Sequence, residues 1–167
     1  MVRLSPFLRR TWCWGFTISL RARSPRPPRF NYWAGQVDVQ AQAANAWILY
    51  ADGKYDDALK AMSAAVDAED NTEKSPVTPG PLAPARELYG FMLLERGMAK
   101  EALAAFEATK AKEPNRFNGY AGAAKAALAL GDTVQAKANY EKLLALASGS
   151  DSDRPTLATA RAFVASN

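Results

Sequence analysis

The chain has 167 residues, 49% of them apolar and 23% charged, which is close to globular averages, and its formal net charge is +4. It has no histidine and one cysteine, Cys13, which excludes His general bases, Ser-His-Asp and Cys-His nucleophile systems, His-based metal sites, disulfide frameworks and CxxC knuckles. No apolar run reaches the ~18 residues that a membrane-spanning helix needs.

The charge is unevenly placed. Residues 1–37 hold seven arginines and no lysine or acidic residue, whereas residues 38–167 hold 14 basic against 17 acidic residues. The basic character therefore belongs to an N-terminal tail, read here as disordered or foreign to the folded domain. The body lacks a basic stripe with interleaved aromatics, so no nucleic acid is expected as a partner. In the tail, Arg3, Arg9 and Arg10 precede an uncharged stretch from Thr11 to Leu20, the order of a signal peptide. That stretch carries Thr, Ser and Gly, and Arg21 and Arg23 stand where a cleavage site would follow. An organellar presequence or an anionic-membrane contact fits the same composition, and any membrane contact is expected only through residues 1–33. The expected location is cytoplasmic, or exported or organellar if the tail is a targeting segment. Pro25, Pro27 and Pro28 break any helix crossing them.

Taken in chain order, the apolar periodicity and breakers predict helices at 38–51, 55–69, 84–96, 99–111, 117–130, 133–147 and about 155–165. The first is expected to be irregular, because Gln42 and Asn45 fall where large apolar residues are wanted. Between the second and third lies a Pro-rich insertion at 70–84, stiffened by four prolines, with Pro79-Gly80 as a type II turn signal. The last helix is expected to be capped by Asp153 and to bury Leu157, Ala160, Phe163 and Val164 as a terminal cap.

A repeat organises residues 38–147. Gly97 and Gly131 are 34 apart, and Gly53 and Gly97 are 44 apart, one repeat plus ten extra residues. Each glycine is preceded seven positions earlier by a small residue (Ala46, Gly90, Ala124). Each is followed five positions later by alanine (Ala58, Ala102, Ala136) and nine later by a large residue (Met62, Phe106, Tyr140). The glycine can take the left-handed conformation that ends one helix, the small residues permit a close helix crossing, and the large residue fills the gap beside the next unit. Pro114 stops the fourth helix.

This pattern resembles the tetratricopeptide repeat (TPR), a 34-residue helix-turn-helix unit. The stretch from Glu73 to Gly90 and the helices after it also resemble the C-terminal part of larger bacterial TPR proteins. The resemblance implies an all-α, α–α superhelix of about three hairpins, followed by a linker and capping helix in 148–167. It also implies a groove lined by the first helix of each unit: Trp47 and Tyr50 from the first, Glu87, Phe91 and Leu94 from the second, Lys125 and Leu128 from the third. Some TPR domains clamp a chaperone's C-terminal carboxylate with basic residues there. The matching slots here hold Ala43, Trp47, Glu87, Leu88, Asn118 and Gly122, so that clamp is missing.

No nucleophile–base pair can be assembled, and the adjacent carboxylates Asp56-Asp57 and Glu69-Asp70 diverge by about 100° on a helix. No cofactor or metal is expected. The chain reads as a non-catalytic protein–protein interaction scaffold with a protein or peptide partner. The alternatives are an exported or membrane-associated protein using its basic tail, and a structural C-terminal segment of a larger TPR protein without a free groove.

Overall fold

The computed structural model describes residues 28–72 and 81–166, with side chains from residue 33 onward. Residues 1–27 of the Arg-rich tail, Cys13 among them, and the Pro79-Gly80 turn lie outside the described residues. Seven helices follow one another: α1 (Pro28–Ala51), α2 (Tyr55–Asp70), α3 (Ala85–Glu95), α4 (Ala99–Lys112), α5 (Phe117–Ala129), α6 (Thr133–Leu146) and α7 (Pro155–Ser166). There is no strand among the described residues.

Three of the turns are copies of one device. Gly53, Gly97 and Gly131 have φ of 78°, 74° and 78°. At each, the glycine N–H donates three residues back and the next N–H donates five back, as in Gly97 to the Leu94 carbonyl at 3.0 Å and Met98 to the Leu93 carbonyl at 2.9 Å. This is the Schellman arrangement, which satisfies the last carbonyls of a helix and reverses the chain within two residues. It pairs α1 with α2, α3 with α4, and α5 with α6. After α4 the chain turns differently: Glu113, before Pro114, is extended at φ −132°, and Asn115 takes φ 67°.

Each helix packs on the next in sequence, and α1 also touches α3, as α3 touches α5. The first helices of the units thus form one row. The small residues of the repeat sit at the crossings: Ala46, Ala58, Ala102, Ala124 and Ala136 are all 0% exposed. Met62, Phe106 and Tyr140 are equally buried and anchor three successive core clusters. The Phe106 ring is wedged between α3 and α5. A Cβ on Gly90 would lie 2.7 Å from its Cζ, and one on Gly122 only 2.3 Å. Leu157 and Ala160 of α7 close the last cluster, with the Phe163 ring 5.4 Å from that of Tyr140.

Polar contacts bridge the second insertion-flanking junction. Pro84 precedes α3 and offers no capping side chain, so Glu69 at the end of α2 accepts the Ala85 N–H at 2.7 Å. Its neighbour Asp70 pairs with Arg86 of α3 and, at 2.5 Å, with Lys112 of α4.

Three sequence expectations need correction. α1 begins at Pro28, ten residues before the expected start, so residues 28–37 are helical rather than tail. Proline suits the first helical turn, where its missing N–H costs nothing. α1 is also continuous: Gln42 and Asn45 face solvent, while Val39, Ala43 and Ala46 supply its buried face. Finally, α7 begins at Pro155, which leaves Arg154 rather than Asp153 in the cap position, its carbonyl accepting from the Leu157 N–H.

Candidate partner-binding groove

The seven candidate residues all lie on the first helices, α1, α3 and α5, and fall into three environments. Trp47, Tyr50, Phe91, Leu94 and Leu128 are half-buried, Lys125 is exposed, and Glu87 is buried. Each half-buried side chain rests on the cluster of its own unit: Trp47 and Tyr50 on the first, Phe91 and Leu94 on the second, Leu128 on the third.

At the first unit the aromatics form a chain. Trp47 meets Tyr50 edge-on at 5.4 Å, Tyr50 meets Tyr55 of α2 at 4.9 Å, and the Arg96 guanidinium lies 4.1 Å over the Tyr55 ring. Such edge-to-face and cation–π contacts hold rings in one orientation. Burial, reinforced by neighbouring Glu95, raises the Tyr50 hydroxyl above its ordinary pKa, so it remains a neutral donor. In the second unit Phe91 sits edge-on to Phe106 at 5.0 Å. Lys125, one residue after the fully buried Ala124, points outward and makes no ion pair among the described residues.

Glu87 is placed differently from the other six candidate residues. It is 2% exposed; Oε2 accepts from Arg116 Nε at 3.0 Å and Oε1 from Asn118 Nδ2 at 2.7 Å. Arg116 also donates to the carbonyls of Pro81 at 3.2 Å and Leu82 at 2.9 Å. The carboxylate therefore joins α3 to the start of α5 and to the chain leaving the insertion, with its acceptor sites engaged inside the protein. Sequence reasoning placed Asn118 near the groove but missed Arg116, whose only local signal is a lone arginine just before a helix start. Among the described residues, no group of His, Cys, Asp or Glu could hold a metal ion, and no helix is long and apolar enough to cross a membrane.

The arrangement of paired helices, shared glycine turns and stacked first helices defines a TPR-type fold, and solved structures agree. PcrH from Pseudomonas aeruginosa superposes with a TM-score of 0.61 at 22% identity, covering 77% of this chain and 90% of PcrH. The type III secretion translocator chaperone SycD of Yersinia enterocolitica gives 0.61 at 16% identity, over 77% of this chain and 89% of that one. The first TPR domain of human RPAP3 gives 0.58 at 17%, over 77% and 93%. PcrH is also matched in complexes with the chaperone binding regions of PopB, at 0.60, and PopD, at 0.63. No family model and no curated protein sequence matches the chain. At these identities the likeness is one of fold.

Proposed function

We propose that this chain is a non-catalytic scaffold that holds a peptide or helix of a partner protein against the row α1, α3 and α5. One observation carries the reading. Five apolar side chains on those helices, Trp47, Tyr50, Phe91, Leu94 and Leu128, are seated on the core on one side and accessible on the other. Rings already held by neighbours lose little freedom when a ligand covers them, which is the property of an interaction hot spot. The TPR-type neighbour PcrH, solved with segments of PopB and PopD, supports the same use of the fold.

The exposed Lys125 beside the apolar row selects the ligand's chemistry. A segment with an apolar anchor and a neighbouring acidic residue satisfies both. Glu87, engaged with Arg116 and Asn118, contributes by holding α3 against α5 rather than by touching the ligand.

Selection from a random peptide display library on the immobilised full chain tests this reading. The expected peptides pair an apolar anchor with an Asp or Glu, and lose affinity on the Phe91→Ala chain. On Lys125→Glu they should lose affinity without any change in melting temperature. Peptides that bind both variants as well as the parent chain, or failure to select any peptide, would reject the groove.

A further inference from the structure

The repeat register runs on into α7. Leu157 and Ala160 lie 34 residues after Ala123 and Ala126 of α5. Ala123 and Ala126 share the cluster of Phe106 in α4, and Leu157 and Ala160 share that of Tyr140 in α6. α7 therefore stands on α6 as α5 stands on α4. The junction at the starts of α5 and α7 can be compared, position by position, with the junction of α3 and α5.

Between α3 and α5 the polar groups satisfy one another: Glu87 accepts from Arg116 at 3.0 Å and from Asn118 at 2.7 Å. The residues 34 positions after Glu87, Arg116 and Asn118 are Ala121, Ser150 and Ser152. The carboxylate has no counterpart there, and two short hydroxyls stand in the slots of a guanidinium and an amide. A cleft of about 310 Å³ lies at this second junction, bounded by the start of α5, the end of α6 and the linker into α7. That volume is at the low end of the roughly 300–1,000 Å³ of small-molecule sites.

Phe117, Leu146 and Leu157 give the cleft an apolar wall, and Ser150, Ser152 and Arg154 give it a polar one. The Arg154 guanidinium lies 4.8 Å from the centre of the Phe117 ring, which holds an otherwise flexible cation at the cleft. Arg154 makes no ion pair among the described residues. Its chain neighbours Asp151 and Asp153 are exposed and do not line the cleft, and Glu113 on the opposite side pairs with Arg116 at 3.4 Å. The carboxyl end of α6 and the amino end of α7 both border the space, so their dipoles oppose and Arg154 sets its sign. Ser150 Oγ accepts the Ser152 N–H at 3.2 Å, which leaves its own proton to donate. A single carboxylate satisfies the guanidinium and a hydroxyl, and an apolar group covers the wall. An ammonium would meet no lining carboxylate, and the second charge of a phosphate would meet no second cation. We propose that this cleft binds a small apolar monocarboxylic acid, with its carboxylate on Arg154 and Ser150 and its apolar part against Phe117, Leu146 and Leu157. The site is separate from the groove proposed above.

Titration of 3-phenylpropionate into the isotope-labelled full chain, followed by amide chemical shifts, tests this. Saturable shifts should appear at Phe117, Ser150, Ser152 and Leu157 and spare Phe91 and the exposed Lys125. 3-Phenylpropionamide has the same shape without the charge and should bind about tenfold more weakly or worse, since a charge-assisted hydrogen bond is lost. Arg154→Gln should weaken 3-phenylpropionate to the same extent at an unchanged melting temperature, because the side chain is exposed. Phe91→Ala should leave the affinity unchanged, which separates this site from the groove. Equal binding of acid and amide, or full affinity in Arg154→Gln, would overturn the proposal. So would shifts at Lys125 as large as those at Ser150, which mark general attraction of anions. Tighter binding of a capped acetyl-Leu-Glu-Leu-amide peptide would assign the cleft to a partner's side chain and overturn the free acid as its ligand.

Discussion

The ring of Phe106 stands where a side chain at position 122 would have to go: a Cβ on Gly122 would meet its Cε1 and Cζ at 2.3 Å. The ring is fully buried and flanked on its other side by Gly90. Alanine is the better helix former by about 1 kcal/mol, so a surface Gly→Ala change would stabilise α5. Here overpacking opposes that gain and typically costs about 1–3 kcal/mol. Gly122→Ala should lower the urea midpoint, and by more than Gly90→Ala, where the nearest approach is 2.7 Å. Adding Phe106→Leu to Gly122→Ala should recover part of the loss, and a double-mutant cycle measures the coupling. A Gly122→Ala chain as stable as the parent would contradict this packing.

The Glu87–Arg116 pair should behave as a buried, structural contact. Removing one member of such a pair leaves the other uncompensated, at about 3–5 kcal/mol. The Arg116 side chain retains 24% exposure, so Arg116→Ala should fall at the lower end of that range. It should also speed hydrogen exchange at Leu82 and Ala83, since Arg116 holds the carbonyls of Pro81 and Leu82. Unchanged denaturation would mean that the pair adds nothing to the stacking of α3 on α5.

Asp70 gives a pH dependence of defined sign. Burial pushes its carboxyl up, but the hydrogen bond from Lys112 and the charges of Arg86 and Lys112 outweigh it and hold the pKa below the ordinary 3.8. A carboxyl depressed by folding adds stability above its unfolded pKa and loses it as pH falls through the folded value. The urea midpoint difference between the parent and Asp70→Asn should therefore be constant near neutral pH and shrink below about 3.8. A difference that grows on acidification would show the opposite shift.

Phe91 and Lys125 separate binding from folding. Phe91 is half-buried and edge-on to Phe106, so Phe91→Ala removes a core contact and also part of the proposed binding face. As a hot spot it should cost about 1–3 kcal/mol of peptide affinity. The stability loss should stay below the roughly 3–5 kcal/mol of a fully buried phenylalanine such as Phe106. Isothermal titration with a selected peptide and a thermal melt on the same chain give both numbers. A melting loss as large as that of Phe106→Ala would make Phe91 a core residue and remove it from the groove.

Gly97 tests the turn device directly. At φ 74° an alanine carries the left-handed penalty of roughly 1–2 kcal/mol, whereas asparagine tolerates the region better. Stability by urea denaturation should fall in the order glycine, asparagine, alanine, with helix content unchanged.

The helices and their register were legible in the sequence because the signals are local. A glycine that must take positive φ, an alanine five residues later and an apolar residue nine later each act within one hairpin. The residues so marked, Gly53, Ala58 and Met62 and their counterparts, occupy the expected turns, crossings and core. What tertiary structure alone decided are the contacts between hairpins. The sequence does not say that Gly122, 16 residues after Phe106, gives way to its ring, or that Glu87 turns inward to an arginine 29 residues away. Nor does it say that α1 extends back to Pro28 and leaves Ile48 exposed while the matching Met92 of α3 is sealed. Helical periodicity assigns each residue to a face, but which faces are buried depends on how far each hairpin is rotated against the next. That rotation is set by the volumes meeting across the interface, which no single segment contains.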